Sequence, residues 1–279
     1  MAHLERFAPS PTGPLHLGHA YSALLAWDRA MENGGEFLLR IEDIDQSRAR
    51  PEWEAQIFDD LAWLGLRWPK PVLRQSNRLP AYRGALGILW NKGLLYPCTC
   101  TRRDINEAMQ APQEGAPLLG PDGVIYPGTC RAEPIGNLPE HTALRLNLSA
   151  ALSADILHFE ETGLKAGRIE FSADEAIETI GDIIIARRDM GSSYHLSVVL
   201  DDAFQGVSHI TRGQDLFEAT KIHVILQKLL GLPTPVYHHH RLIRDENGKR
   251  LAKRDDARAI AGYRADGASP ADIRHMVGL

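Results

Sequence analysis

The first forty residues constrain the fold more than any other segment of the chain. Residues 3–8 predict a short strand, and residues 9–14 are too rich in proline and glycine to form regular structure. From Leu17 onward apolar residues recur at helical spacing, until the Asn-Gly-Gly sequence of residues 33–35 ends the helix. Residues 36–41 then predict a second, buried strand. A strand–turn–helix–strand unit of this kind is typical of a doubly wound parallel sheet.

After residue 41 the sequence continues to predict helices and strands, except in one segment whose composition differs. Helices are predicted at residues 51–65, 78–92, 215–230 and 270–277, and strands at residues 143–148, 183–185 and 196–200. Residues 96–155 carry all three cysteines and many prolines and glycines, which indicates an insertion. We therefore expect an α/β fold with a Rossmann-like doubly wound parallel sheet. Residues 1–95 and 156–279 would form its two halves, and a short helical tail would end the chain.

Composition favours a cytoplasmic protein. The 31 basic and 36 acidic residues give a net charge of −5, which neither supports nor excludes a nucleic-acid partner. No apolar run approaches the roughly 20 residues that a membrane span needs, and charged residues occupy the N-terminus where a secretory signal would be apolar. Three cysteines cannot form a closed set of disulfides. We expect a monomer without a membrane segment.

One stretch, residues 241–254, is locally basic. It holds six cations against two acidic residues, and these cations are Arg241, Arg244, Lys249, Arg250, Lys253 and Arg254. Such a run forms either a solvated loop or a phosphate-binding one, and charge alone does not decide between them.

The sequence His16-Leu17-Gly18-His19 stands where the proline-rich turn meets the first helix. Two imidazoles three positions apart on a first helical turn point the same way, and the free N–H groups and the dipole of that turn favour phosphate. Gly18 lets a nucleotide approach the backbone. This arrangement indicates ATP binding with attack at the α-phosphate, and the alternative is a pair of surface or capping histidines.

Five ordered blocks in residues 6–254 resemble the glutamyl and glutaminyl subgroup of the class I aminoacyl-tRNA synthetases. They are residues 6–19 (RFAPSPTGPLHLGH), 40–45 (RIEDID), 194–202 (YHLSVVLDD), 211–216 (TRGQDL) and 250–254 (RLAKR). The last block departs from the family's K-[LM]-S-K-[RS] loop at two places. Arg250 keeps the charge of the usual lysine, whereas Ala252 lacks the hydroxyl of the usual serine, which puts the fine tuning of that loop in doubt.

The resemblance implies an enzyme that uses ATP with Mg²⁺ to activate L-glutamate as an adenylate. The catalytic residues would be His16, His19 and Lys253, and ATP would be bound by His16, Gly18, His19, Arg250, Leu251 and Lys253. Glutamate would be bound by Arg6, Ala8, Ser10, Glu42, Tyr194 and Arg212. The two arginines would clamp the carboxylates and Glu42 would face the ammonium group. Which arginine takes which carboxylate is not decided by the sequence.

Three cysteines in residues 96–155 form a second constellation. The related enzymes that attach glutamate to queuosine have a C-x-C pair followed by Y-x3-C, and Cys98, Cys100, Tyr126 and Cys130 match that pattern. The resemblance implies one structural Zn²⁺ in a zinc-containing insertion. Tyr126 is an unusual ligand, and His141 is the alternative. Three reduced cysteines without a metal are the competing interpretation.

The triplet of residues 238–240, His-His-His, suggests a metal site, but successive residues of a strand face opposite sides, so three adjacent histidines chelate one ion poorly. We favour a strand that leads into the basic loop, with one histidine near the adenine.

The resemblance to glutamyl-queuosine tRNA(Asp) synthetases implies transfer of glutamate to queuosine in the anticodon stem-loop of tRNA(Asp). Only 25 residues follow Arg254, too few for the anticodon-binding part of glutamyl-tRNA synthetases. The alternatives are a truncated glutamyl-tRNA synthetase that charges the 3′ end of tRNA(Glu), and a non-catalytic paralogue that binds RNA or protein. The family resemblance also implies that only the queuosine-directed enzymes activate glutamate without RNA.

Overall fold

The computed structural model describes residues 2–101, 103–105, 107, 119–154, 156–244 and 258–279. The expected ATP-loop residues Arg250, Leu251 and Lys253 lie outside these described residues, as does Ala252.

Within the described residues the chain forms twelve strands and nine α-helices. The strands are β1 (Leu4–Phe7), β2 (Glu36–Ile41), β3 (Leu73–Arg74), β4 (Leu95–Pro97), β5 (Leu119–Gly120), β6 (Gly123–Val124), β7 (Leu144–Leu146), β8 (Ile156–Glu161), β9 (Gly167–Ser172), β10 (Ile184–Ala186), β11 (His209–Gly213) and β12 (Val236–His240). The helices are α1 (Leu17–Glu32), α2 (Pro51–Trp63), α3 (Leu79–Asn91), α4 (Leu148–Ala151), α5 (Ala173–Thr179), α6 (Tyr194–Gln205), α7 (Ala219–Leu230), α8 (Ile260–Ala265) and α9 (Pro270–Val277).

Parallel strands form the centre of the molecule, as expected. Strands β1, β2 and β3 pair in parallel in that order, and β11, β12 and β8 form a second parallel set whose edge strand β9 is antiparallel. The two sets meet where the Ser208 N–H donates to the Leu4 carbonyl oxygen at 3.1 Å. The chain therefore runs outward from β1 on one side and from β11 on the other, which makes their junction a topological switch point. Ligands of doubly wound folds bind at the carboxyl ends of strands at such points.

Helix α1 confirms the predicted opening unit. His16 is its N-cap, and it forms a capping box with His19, because each imidazole accepts a backbone N–H of the other's turn. The buried face of the helix packs on β1 and β2, and its other neighbour is α9, which Arg274 ties to Asp28 by two hydrogen bonds of 2.8 Å.

The strand predicted at residues 196–200 is wrong, since these residues lie in α6. The run of Leu, Val and Leu favours a strand by propensity, but capping decides the structure. Ser193 accepts the Leu196 N–H at the start of the helix, and Gly206 ends it in the left-handed region at φ 70°. The helix is apolar because it lies in the core, where Val198 and Val199 are buried. The helix predicted at residues 215–230 also begins later, at Ala219, after a short 3₁₀ turn.

Residues 96–155 contribute to a small antiparallel sheet. Strand β7 pairs with β4 on one side and with β10 on the other. The hairpin β5–β6 lies apart from it. No helix in the described ranges is long and apolar enough to span a membrane.

Candidate active site

A cavity of about 330 Å³ opens at the carboxyl ends of β1, β2 and β11. Its walls come from the loop after β1, the start of α1, the end of β2, the start of α6 and the segment after β12. The lining residues are Arg6, Phe7, Ala8, His16, Gly18, His19, Ser22, Glu42, Tyr194, Thr211, Arg212, Gly213, Asp215, Leu216, His240, Leu242 and Ile243.

The structure brings together most of the residues expected to bind glutamate or ATP. Every one of them that is described lines this cavity except Ser10, which lies in the turn after β1. His240, the last residue of the histidine triplet, also lines the cavity, and its Nε2 lies 2.7 Å from the Ser22 hydroxyl. The triplet forms the end of strand β12, and a strand was predicted there.

The two histidines at the start of α1 both use the Nδ1 edge of the ring to contact the backbone. Their ring centroids are 3.8 Å apart. Each Nδ1 accepts a backbone N–H, from Gly18 for His16 and from His16 for His19, at 3.1 and 3.2 Å. In a neutral ring the proton then sits on Nε2. A Cβ at Gly18 would lie 3.0 Å from the His16 ring, so glycine also leaves room for that imidazole.

The chain returns to this histidine pair after the segment that holds Lys253. Ala259 bridges to His16, and the Ile260 N–H donates to the Leu15 carbonyl oxygen at 2.9 Å. On the other side of that segment, Leu242 and Ile243 line the cavity. Both flanks of residues 245–257 therefore lie at the histidine end of the cavity.

A buried ion cluster forms the floor of the cavity. Arg6 donates to Asp202 through Nε and Nη2 at 3.0 and 3.3 Å. Arg40 donates to the same carboxylate at 2.6 Å and to Glu42 at 3.1 Å. All four side chains are buried. Arg6, expected from the sequence as a carboxylate clamp, therefore already has a carboxylate partner.

Burial and neighbouring charges act in opposite directions on the two acids of this cluster. Burial alone would raise the pKa of Asp202, but Arg40 and Arg6 outweigh it and hold that pKa below its ordinary value. For Glu42 burial prevails over the nearby Arg40, so its pKa is raised. A cation bound beside Glu42 would favour its charged form.

Arg212 differs from Arg6 in that all its hydrogen-bond partners are neutral. Its Nε donates to His239 Nε2 at 3.2 Å and its Nη1 to His223 Nδ1 at 3.1 Å. Its Nη2 donates to the Thr220 hydroxyl at 2.6 Å. No carboxylate of the described residues lies within 4 Å of this buried guanidinium. The Arg212 charge therefore faces the cavity without a counter-ion among those residues.

Burial and the Arg212 charge keep the two histidines beside it neutral. Burial first, and Arg212 second, hold the pKa of His223 well below its ordinary value. The pKa of His239 is also lowered, mainly by burial, although the Glu161 carboxylate 2.5 Å from its Nδ1 opposes the shift. Neutral imidazoles can accept hydrogen bonds from arginine, which has no acceptor of its own.

Several residues of the site were not predicted to be functional. Arg40 and Asp202 stand inside the quoted blocks, and a charged residue within an apolar run was the available signal. His223 gave no usable signal, and His239 drew notice only as part of the histidine triplet, because their contacts with Arg212 depend on strands and helices that meet only in the fold.

The three cysteine sulfurs lie within 4.8 Å of one another. The Tyr126 hydroxyl lies 3.3 Å from Cys100 Sγ and 3.6 Å from Cys98 Sγ. Four ligands on one tetrahedral zinc ion, with bonds of about 2.3 Å, would stand about 3.8 Å apart, so this donor set fits zinc. His141 is not part of the cluster formed by the described residues.

Arg145 supports the cysteine cluster. Its Nε donates to Cys98 Sγ at 3.3 Å, and its guanidinium lies over the Tyr126 ring, 3.7 Å from the centroid. A cation in this position stabilises a thiolate or a phenolate.

The family model for the class I tRNA synthetases (E and Q), catalytic domain, matches residues 4–279. A "Glutamyl-Q tRNA(Asp) synthetase" of Rhodobacter capsulatus is 65% identical, over 99% of this chain and 100% of the relative. The chain belongs to the glutamyl-Q tRNA(Asp) synthetases, within the class I tRNA synthetases. A second member of this family, from Symbiobacterium thermophilum, is 41% identical over 96% of this chain and 83% of its own length.

Solved structures of class I synthetases share the fold of this family member. A glutamate tRNA ligase from Elizabethkingia meningosepticum, solved with its amino acid, superposes with a TM-score of 0.79 at 25% identity. The chain covers 61% of that ligase. Mycobacterium tuberculosis methionyl-tRNA synthetase, at 11% identity and a TM-score of 0.62, shares the fold alone.

Proposed function

We propose that this protein activates L-glutamate with ATP and Mg²⁺ and transfers it to queuosine in the anticodon loop of tRNA(Asp). The observation that carries the glutamate part is the buried Arg212, whose hydrogen-bond partners are neutral.

Arg212 binds the side-chain carboxylate of glutamate. That carboxylate keeps its charge throughout the reaction, so a strong clamp on it stabilises the ground state and the transition state alike. The α-carboxylate must lose its charge when the adenylate forms, so a clamp of the same strength there would oppose the reaction. Arg6 offers the α-carboxylate a weaker partner, because its Nε and Nη2 are engaged by Asp202 and its Nη1 is not.

The ammonium group of glutamate lies beside Glu42, with the Tyr194 hydroxyl as a neutral partner. Both residues line the cavity together with Arg212. Ala8 and Ser10 complete the pocket at the turn after β1. The two carboxylates of glutamate would thus face Arg212 and Arg6, and its ammonium group would face Glu42.

ATP lies against the start of α1. The Nε2–H groups of His16 and His19 donate to the phosphates, and Gly18 leaves space for the nucleotide. Arg250, Leu251 and Lys253 belong to a segment whose flanks meet the same end of the cavity, and Lys253 offsets the charge of the triphosphate. Mg²⁺, when bound with ATP, draws negative charge from the leaving pyrophosphate.

The reaction has two steps. An oxygen of the glutamate α-carboxylate attacks the α-phosphorus, the bond to the β-phosphate oxygen breaks, and pyrophosphate leaves. A hydroxyl of the queuosine ring then attacks the activated carbonyl carbon, the bond from that carbon to the phosphate oxygen breaks, and AMP leaves and takes up the hydroxyl proton. This ester product corresponds to the glutamyl-Q tRNA(Asp) in the name of the Rhodobacter capsulatus relative. Single-stranded loops splay their bases and are the usual targets of specific RNA recognition.

One structural Zn²⁺ is held by Cys98, Cys100, Cys130 and Tyr126, in an insertion of residues 96–155. The donor set is closed and has no open position for chemistry, so the ion would order the insertion. Arg145 would offset part of the negative charge of three thiolates and a phenolate.

The direct test of this activation step is glutamate-dependent ATP–pyrophosphate exchange without RNA. We expect exchange with glutamate alone. Exchange that requires added tRNA would favour a glutamyl-tRNA synthetase that charges tRNA(Glu), and no exchange under any condition would favour a non-catalytic paralogue.

A further inference from the structure

Two hydrogen bonds and one longer polar contact connect Arg212 to the protein surface. Arg212 Nη1 lies 3.1 Å from His223 Nδ1, and His223 Nε2 lies 3.1 Å from His195 Nδ1. His195 Nε2 lies 3.5 Å from an Asp122 carboxylate oxygen. His223 and His195 are buried, whereas Asp122 is 40% exposed. We call these three residues the His223 branch.

The direction of every hydrogen bond in the His223 branch is fixed by Arg212. A guanidinium can only donate, so His223 Nδ1 must accept and its proton must sit on Nε2. That proton is donated to His195 Nδ1, which places the His195 proton on Nε2, toward Asp122. Both imidazoles are neutral in this arrangement, and each carries its proton on Nε2.

The second histidine beside Arg212 is held more firmly. His239 Nδ1 lies 2.5 Å from a Glu161 oxygen, and the same carboxylate accepts the backbone N–H groups of His239 and Gly163 at 3.0 and 2.6 Å. Glu161 is buried within the parallel sheet. Asp122, by contrast, stands in the turn between β5 and β6, outside that sheet. The His223 branch is therefore the arm of Arg212 that depends on residues 96–155.

We propose that His195 and Asp122 are positioning residues that orient Arg212 toward the substrate's side-chain carboxylate, through His223. This proposal rests on the proposed function, since it takes Arg212 as the glutamate clamp. It extends the determinants of glutamate binding to the β5–β6 turn, which does not line the cavity. Loss of the branch frees His223 to rotate or to change tautomer, and Arg212 then loses one of its three neutral acceptors.

The test compares a substitution that removes the hydrogen bonds of His195 with one that keeps an acceptor for the His223 Nε2 proton. His195→Asn places a carbonyl oxygen near the position of Nδ1, whereas His195→Leu offers no acceptor. We expect His195→Leu to raise the KM for glutamate about tenfold. His195→Asn should keep the KM for glutamate much closer to that of the wild type. The KM for ATP should change less than twofold in both. Asp122→Asn should raise the KM for glutamate severalfold, and the exposed Asp189→Asn, as the matched control, should leave it unchanged.

Two further arms separate the possible failures. Arg212→Ala, measured beside these variants, tests the clamp itself: if it keeps the wild-type KM for glutamate, the proposed function fails. If Arg212→Ala loses glutamate activation while His195→Leu and Asp122→Asn match wild type, only the branch is wrong. Long-range ¹H–¹⁵N NMR of the histidine rings in the wild-type protein provides a readout independent of activity. It should show His223 and His195 with the proton on Nε2, and a proton on His223 Nδ1 would overturn the proposal.

Discussion

The Arg6 guanidinium and the Asp202 carboxylate are joined by two hydrogen bonds of 3.0 and 3.3 Å between β1 and α6. Both side chains are buried, so this pair is part of the fold as well as the floor of the cavity. Arg212, at the end of β11, has only neutral partners among the described residues. We therefore propose that the selectivity for a dicarboxylic amino acid rests chiefly on Arg212.

Arg212→Ala should raise the KM for glutamate by at least about 10²-fold, because the substrate carboxylate would enter a desolvated pocket without its cation. The KM for ATP should change little. Glutamate-dependent ATP–pyrophosphate exchange measures both values. Arg168→Ala is the matched control, since Arg168 forms only an exposed pair with Glu170 on β9. Unchanged glutamate activation in Arg212→Ala would mean that the clamp lies elsewhere.

Asp202→Ala should lower the free energy of unfolding by about 3–5 kcal/mol, because it leaves the buried Arg6 without a carboxylate partner and Arg40 with one, Glu42, among the described residues. Asp202→Asn keeps the shape and one acceptor and should cost less. Urea denaturation measures both. Glu170→Ala, which breaks an exposed pair, should cost less than about 1 kcal/mol. An Asp202→Ala protein as stable as Glu170→Ala would show that the cluster contributes little.

The sequence predicted the framework of the site because its signals are local. The strand, turn and helix of residues 3–32 follow from proline, glycine and periodicity, and the structure confirms them. The helix of residues 270–277 was predicted with the bounds that the structure gives it. The prediction for residues 196–200 was wrong because a short apolar run inside a buried helix lacks the 3.6-residue periodicity that marks an amphipathic helix. Capping at Ser193 and Gly206 decided the outcome.

The partners within the site could not be predicted. Arg6 and Asp202 are 196 positions apart, and Arg212 meets His239 only because β11 and β12 pair in register. Spacing along the chain carries no information on such pairs. The cysteine cluster was easier, since four residues in one short region have few ways to meet.

Cys130→Ser should remove the proposed zinc ion and loosen residues 96–155, because local folding and metal binding are coupled. Metal analysis of freshly purified, untagged protein should find about one zinc per wild-type chain and far less in the variant. Thr129→Ala, at the exposed position next to Cys130, is the control and should keep the metal. A wild-type protein without zinc would contradict the site, and so would a Cys130→Ser protein that keeps it.

Asp60→Asn should stabilise the protein more at pH 7.5 than at pH 4.5, by about 2 kcal/mol. Burial, and then the neighbouring Asp59, raise the pKa of Asp60 to about 6, and neither carboxylate oxygen has a hydrogen-bond partner among the described residues. The native state thus holds the proton more tightly than the unfolded chain, whose pKa is 3.8. The stabilisation that comes from protonated Asp60 is fully present below pH 3.8, is lost as the pH rises through about 6, and is absent well above that value.

Urea unfolding of both proteins at the two pH values checks this prediction. Glu52→Gln, at an exposed position of the same helix, is the matched control, and its stability difference from wild type should change less with pH. A stability difference between Asp60→Asn and wild type that does not change with pH would contradict the assignment.

The identity of the acceptor is tested most directly by radiolabelled glutamate offered to three RNAs: queuosine-containing tRNA(Asp), the same tRNA without the modification, and tRNA(Glu). Removing the 3′ adenosine from each RNA separates attachment at the anticodon from attachment at the 3′ end. We expect label only on queuosine-containing tRNA(Asp), with or without its 3′ adenosine. Label on tRNA(Glu), or label that requires an intact 3′ end, would contradict transfer to queuosine.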